Sequence, residues 1–122
     1  MPEQPQLSII LIGYKMAEQL LNTVFTLSAA YQRGIDESDY EIIVVENSSS
    51  DNVDQAALQA LGNNIRFYRR EETSQTPVYA VNFAFNQCRG ELIGLMIDGA
   101  RMLSPGALAT ALQCWRADPR AL

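Results

Sequence analysis

Two acidic residues stand where runs of β-branched and other apolar residues stop. Glu46 follows YEIIVV (residues 40–45) and is trailed by Asn47 and by Ser48, Ser49 and Ser50. Asp98 follows ELIGLMI (residues 91–97) and is trailed by Gly99, Ala100 and Arg101. These residue types suit the recognition of a base and a ribose. Glu46 can accept from a ring N–H, Asn47 can both donate and accept, and Asp98 can take two hydroxyl donors. Gly99 lets a ligand approach the main chain closely. A plainer reading stands beside this one: serines ahead of a helix cap it, and Asp98 can be a turn residue before Ser104-Pro105. The joint placement of acidic groups after two separate strands favours a site.

Other chemistries are excluded by what the chain lacks. It contains no histidine, so imidazole cannot serve as base, nucleophile partner or zinc ligand, and Ser-His-Asp and Cys-His arrangements go with it. Neither GxGxxG nor GxxxxGK[ST] follows a strand, which disfavours dinucleotide-dependent dehydrogenases, P-loop NTPases and nucleotidyltransferases with a glycine-rich first loop. Nine Lys plus Arg against fourteen Asp plus Glu give a net charge of −5. An acidic chain gains little from counterion release, so nucleic acid is not the expected partner. A phospho-receiver would need a carboxylate cluster after the first strand and an Asp after the third. Here those places hold Gly13-Tyr14-Lys15 and Arg69-Arg70. Cys88 and Cys114 read as small apolar residues in a reducing compartment. No apolar run approaches the roughly 20 residues of a membrane span, and no basic stretch followed by an apolar one opens the chain. The expected location is the cytoplasm.

The elements that would position these residues follow from pattern. A length of 122 residues fits one domain able to bury its own core. Residues 7–12 (LSIILI), 40–45 (YEIIVV), 65–68 (IRFY) and 91–97 (ELIGLMI) read as strands, the continuous apolar runs implying cover on both faces. Residues 17–33 read as a helix with Leu20, Leu21, Val24, Leu27 and Tyr31 on one face and Gly34 at its C′ position. A second helix is expected from the Ser48–Ser50 caps to residue 61. A third is expected from Thr76-Pro77, burying Val78, Val81, Phe85 and Cys88. A fourth follows Ser104-Pro105, burying Leu108, Leu112 and Trp115. The β-α-β-α-β-α-β-α order predicts an α/β fold, a parallel sheet with right-handed crossovers and helices on both faces. With strand order 3-2-1-4, the turns after strands one, two and four meet at one place, where open α/β sheets bind ligands. An uncovered strand edge points to a longer protein or to a homodimer.

Three blocks of this pattern resemble a known family, the inverting GT-A glycosyltransferases of family 2, which move a sugar from a nucleotide diphosphate to an acceptor. LSIILIGYKMAEQLLNTVFTL is similar to the family's opening strand and helix. DYEIIVVENSSSDN is similar to its DYEIIVVDDGSTDGT. AVNFAFNQCRGELIGLMIDGARMLSPGAL is similar to its ARNxGxxxAxGEYIxFLDxDD with the Leu-x-Pro turn that follows. Their order and spacing also match. The resemblance implies a three-layer α/β/α, Rossmann-like nucleotide-binding half across residues 1–122, the N-terminal part of a longer glycosyltransferase of hexosyltransferase type. It implies that Ile12 and Gly13 meet the base, that Glu46 lies near the base beside Asn47, and that Asn82 is the asparagine of the third helix. Asp98 becomes the first Asp of DxD, serving the ribose and a Mn2+ or Mg2+ that holds the diphosphate, with Gly99 beside it.

The sequence departs from that pattern at three places. Ala100 replaces the second Asp of DxD, Val81 an arginine and Lys15 an asparagine. A diphosphate leaving group must have its charge stabilised by a metal or by Arg or Lys. Arg101, one residue beyond the lost ligand, is expected to clamp the diphosphate instead. The acceptor, a carbohydrate, lipid or protein, and the general base are expected outside these residues. The chain alone should then bind nucleotide without turnover. The alternative is an inactive binding or interaction module on the same fold.

Overall fold

Every residue of β1 (Leu7–Gly13) is buried, which requires a strand covered on both faces. In the computed structural model, which describes residues 4–13, 17–47, 53–70, 78–96 and 103–118, that cover comes from helices on either side of a four-stranded sheet ordered β3-β2-β1-β4. β2 is Tyr40–Asn47, β3 Ile65–Arg70 and β4 Leu92–Met96. All three pairings are parallel, Leu7 lying opposite both Tyr40 and Leu92, and Ile42 opposite Ile65. The α/β class and the strand order are those expected from the sequence.

Side chains alternate across the sheet, as a period of two dictates. One face carries Leu7, Ile9, Leu11, Ile42, Val44 and Ile65 against α1 (Ala17–Leu27), α2 (Gln55–Gln59) and α4 (Ala107–Ala117). The other carries Ile10, Ile12, Ile43 and Val45 against α3 (Val78–Gln87). This is the three-layer α/β/α arrangement. Among the described residues no helix is long and apolar enough to cross a membrane, and both Cys88 and Cys114 are free thiols.

Several boundaries differ from the sequence expectation, each for a local reason. α1 stops at Leu27, six residues short of position 33, because Ser28 turns back on Phe25 through its N–H and its hydroxyl. The segment beyond is held by Gln32, which is buried. Its amide donates to the carbonyls of Thr26 and Ser104, and its oxygen accepts from the Leu108 N–H. The Tyr40 hydroxyl donates to the Leu27 carbonyl at 2.6 Å, satisfying one of the carbonyls a helix end leaves open. Gly34 does adopt a positive φ of 78°, but in a turn rather than at a helix end. α2 is capped by Asp54, whose side chain accepts from Ala56 N–H; Ser48–Ser50 lie outside the described residues. α4 begins after Gly106, two residues later than a start at Pro105.

α3 presents a different face from the one expected. Its buried residues are Ala80 and Ala84, one turn apart, while Val78 and Phe85 are exposed. Small residues let the helix backbone approach the sheet, so the larger side chains on either flank swing outward. Val81 and Cys88, expected on the buried face, are half-buried at the margin of the core.

The amino-terminal edge of the sheet is built around a buried carboxylate. Glu41 accepts from the Ser8 hydroxyl at 2.6 Å, the Arg89 N–H at 2.7 Å and the Arg66 guanidinium at 2.7 Å. Ser8, the polar residue inside LSIILI, in turn accepts from the Gly90 N–H at 2.8 Å. Burial by itself would raise the Glu41 carboxyl. The hydrogen bonds from Ser8 and the Arg89 main chain, with the charge of Arg66, outweigh it and hold the group below its ordinary 4.5.

Two outcomes follow. The Glu41 contribution is complete above pH 4.5 and is lost as pH falls through the depressed folded value. Thermal unfolding followed across pH 3–7 should therefore show the midpoint falling below about pH 4.5, and Glu41→Gln should start lower at neutral pH and decline less. Gly90→Ala would place a Cβ 2.8 Å from the nitrogen and hydroxyl of Ser8 and 2.9 Å from the Gln6 carbonyl. That carbonyl already accepts from Leu92 N–H. Urea unfolding should record a loss of about 1–3 kcal/mol.

Candidate functional site

The carboxyl ends of β2, β1 and β4 lie side by side because β1 and β2 are neighbours and β4 flanks β1. The winding reverses between β1 and β4, which is where open α/β sheets form their ligand crevice. At this edge Gly13 is in register with Glu46, and Glu46 with Arg69. One cross-strand row thus runs from β1 through β2 to β3, on the face covered by α1 and α2.

Glu46 is the centre of that row and is 1% exposed. Its Oε2 accepts from the Val53 N–H at 2.8 Å. Its Oε1 accepts from Arg69 Nε at 3.1 Å and lies 3.0 Å from Nη2. Arg69 Nη2 also donates to the Val53 carbonyl at 2.9 Å, and the guanidinium sits 5.2 Å from the centroid of the Phe67 ring. Both carboxylate oxygens are therefore engaged within the chain, and a base N–H would have to reach a group that is already covered. Burial of a carboxylate is tolerated when it is paired and hydrogen-bonded in this way.

The other expected residues are distributed as follows. Gly13 is the last residue of β1, and a Cβ there would meet both terminal methyls of Leu20 at 3.2 Å; the glycine lets α1 close onto the sheet. The Ile12 side chain points into the core under α3, among Ile10, Val45, Ala80 and Ala84. Only its main chain is left to face a ligand. Asn47 ends β2, its main chain in register with Arg70. Asn82 is exposed on α3, two residues from each of the alanines that face the sheet, hence on the helix's far side. β4 ends at Met96, opposite Leu11; Asp98, Gly99 and Arg101 follow in the chain and lie outside the described residues, as do Lys15 and Ala100.

The metal expectation rests on Asp98. Among the described residues no group of three acidic or cysteine side chains could hold a metal ion, and the buried carboxylates Glu41 and Glu46 are both committed to arginines.

Sequence reading did not single out Arg69 as a site residue. The available signal was parity. Ile65, Phe67 and Arg69 share one face of β3, and pairing that strand in parallel with β2 sets Arg69 against Glu46.

A groove of about 380 Å³ lies at the opposite, amino-terminal edge, lined by Glu37, Tyr40, Glu41, Asn64, Arg66 and Arg89. Glu41, Arg66 and Arg89 are tied to one another there and Glu37 accepts from the Asn63 N–H, and the groove is far along the strands from the edge at which such sheets bind ligands. The carboxyl edge remains the candidate site.

A parallel sheet wound in this order, with helices on both faces, is the Rossmann-like arrangement on which the GT-A fold is built. The chain belongs to Glycosyl transferase family 2, whose sequence pattern it matches over residues 8–119. Solved structures share the fold. S. aureus TarS 1-349 in complex with UDP superposes with a TM-score of 0.79 at 22% identity, over 92% of this chain and 32% of that one. The complex of the same protein with UDP-GlcNAc gives 0.74 at 22% identity, over 92% and 31%. Mannosyltransferase PcManGT from Pyrobaculum calidifontis, in complex with GDP-Man and Mn2+, gives 0.74 at 21% identity, over 96% and 34%. The chain thus spans about a third of the length of these proteins. No curated protein matches it by sequence.

Gly13→Ala tests what the glycine is for. The added methyl must displace Leu20, which is fully buried, and chemical denaturation should show a loss of about 1–3 kcal/mol. In a Leu20→Ala background, itself destabilised by about 2–5 kcal/mol, the same glycine change should cost less, because the room has been made.

Proposed function

We propose that the chain is the donor-binding part of a glycosyltransferase, holding a nucleotide diphosphate sugar at the carboxyl edge of the sheet for transfer of a hexose to a carbohydrate, lipid or protein acceptor. The observation that carries this reading is the strand order, which brings the end of β2, with Glu46 and Asn47, beside the end of β1 with Gly13, next to the strand that leads to Asp98. Membership of the family and the UDP-GlcNAc and GDP-Man complexes of its structural neighbours support it.

In this reading the main chain at Ile12 and Gly13 borders the base, with Glu46 and Asn47 shaping its pocket and Asn82 on the adjoining helix. Asp98 takes the ribose hydroxyls, and Gly99 leaves room for the diphosphate. Arg101 offers a planar, permanently charged fork to the diphosphate, the group whose negative charge grows as the sugar bond breaks. A divalent ion at Asp98 would supply the same stabilisation as a Lewis acid. The general base and the acceptor site belong to parts of the protein beyond these residues.

Thermal unfolding in the presence of UDP-, GDP- and TDP-sugars tests this directly. A ligand that binds only the folded state raises the midpoint, its stabilisation growing with the logarithm of free ligand over Kd. One base should raise it, and Arg101→Ala should abolish the rise in the absence of manganese. No rise with any of the three would overturn the donor reading. A rise that needs manganese and ignores Arg101→Ala would overturn the clamp alone.

A further inference from the structure

Arg69, at the carboxyl edge, touches two separate segments of the chain there. It donates to Glu46 at the end of β2 and to the main chain of Val53 just ahead of α2. Glu46 itself accepts from the N–H of that same Val53. Glu46 and Val53 are therefore joined two ways: directly, and through the bridge that Arg69 makes between them. The guanidinium is half-exposed, yet its place is fixed by the fork of hydrogen bonds and by the Phe67 ring beneath it. A planar fork can satisfy a carboxylate and a carbonyl together, which a point charge does less well.

We propose that Arg69 is a positioning residue for the nucleotide donor: acting through Glu46 and Val53, it ties the end of β2 to the start of α2 and so fixes the rim formed by Gly13, Glu46 and Asn47. The proposal rests on the donor-binding reading above and deepens it. It assigns to Glu46 a holding role, with the carboxylate turned to Arg69 and Val53, and leaves the ligand to main-chain groups along the row. An edge held in place during folding does not have to be ordered again when ligand arrives, so the clamp raises affinity without touching the donor.

The test is a double-mutant cycle read by calorimetric titration with UDP and with GDP, together with hydrogen exchange at the Val53 amide. Arg69→Gln should weaken nucleotide binding by roughly tenfold and speed exchange at Val53. Glu46→Gln should do the same, and the double variant should bind no more weakly than either single one. Arg69→Lys should fall between wild type and Arg69→Gln; it also carries the comparison if the glutamine variant does not fold, since wild-type affinity with lysine would overturn the proposal. Additive losses would overturn it as well, because they would mean that Glu46 meets the ligand itself. So would an Arg69→Gln chain that binds as tightly as wild type. A wild-type chain that binds neither nucleotide fails the donor reading, a result distinct from a wild-type chain that binds while Arg69→Gln makes no difference.

Discussion

Strand β2 carries two buried glutamates, and each is held by an arginine of β3 and by a main-chain N–H. Glu41 lies near the amino end, on the α3 side of the sheet; Glu46 lies near the carboxyl end, on the α1 and α2 side. A carboxylate taken out of water is costly unless arginines and N–H groups replace its hydration. β3 supplies an arginine to each, Arg66 to Glu41 and Arg69 to Glu46. The two strands are thereby bolted together at both ends and on both faces. A slip of one residue in a sheet moves every side chain to the opposite face. Here it would also strand two charges in apolar layers, so the pairs specify the register more sharply than the isoleucines and valines between them.

The same register builds the candidate site. Once Ile42 is opposite Ile65, Glu46 must be opposite Arg69, and once Leu7 is opposite Tyr40, Gly13 must be opposite Glu46. The row at the carboxyl edge is thus a consequence of pairings made several residues away in the core. Its three members serve different ends. Gly13 gives up its side chain to Leu20, Glu46 gives up its oxygens to Val53 and Arg69, and Arg69 alone reaches solvent. In the proposed site the row is a frame whose main chain faces the donor, and the groups that discriminate among nucleotides stand on its borders.

Much of this frame was legible in the sequence, because continuous apolar runs between polar turns admit few folds. The four strands followed from LSIILI, YEIIVV, IRFY and ELIGLMI and from the alternation with helical patterns; their order came with the family resemblance. What escaped depended on partners distant in the chain. Gln32 looks like a helical residue until the N–H of Leu108 and the carbonyl of Ser104 are brought to it, 76 and 72 positions away. The face of α3 was misassigned because apolar size suggested Phe85 and Val78, whereas close packing on the sheet selected Ala80 and Ala84. Glu46 was legible as an acidic residue after a strand, but its hydrogen bonds were not. Arg69 was passed over, since nothing in RFYRRE names a partner 23 positions earlier.

These differences bear on how a family pattern carries over to an individual chain. A match over residues 8–119 conveys the fold and the places of residues, but a residue's job also depends on side-chain length and neighbours. Glutamate reaches one methylene further than the aspartate usual at its position. Here that reach brings the carboxylate to the Val53 N–H and the Arg69 fork. At the next strand's end the change runs the other way: Ala100 has no oxygen to offer, and the charge of the neighbouring Arg101 has the opposite sign to the missing ligand. In the proposed site, the first change would make the carboxylate part of the framework, and the second would replace metal-mediated with direct stabilisation of phosphate. Pairing with Arg69 at the one place and loss of a carboxyl group at the other would both lessen the unpaired negative charge facing a diphosphate there. In an acidic chain, such a shift would favour an anionic donor at the carboxyl edge despite the net charge around it.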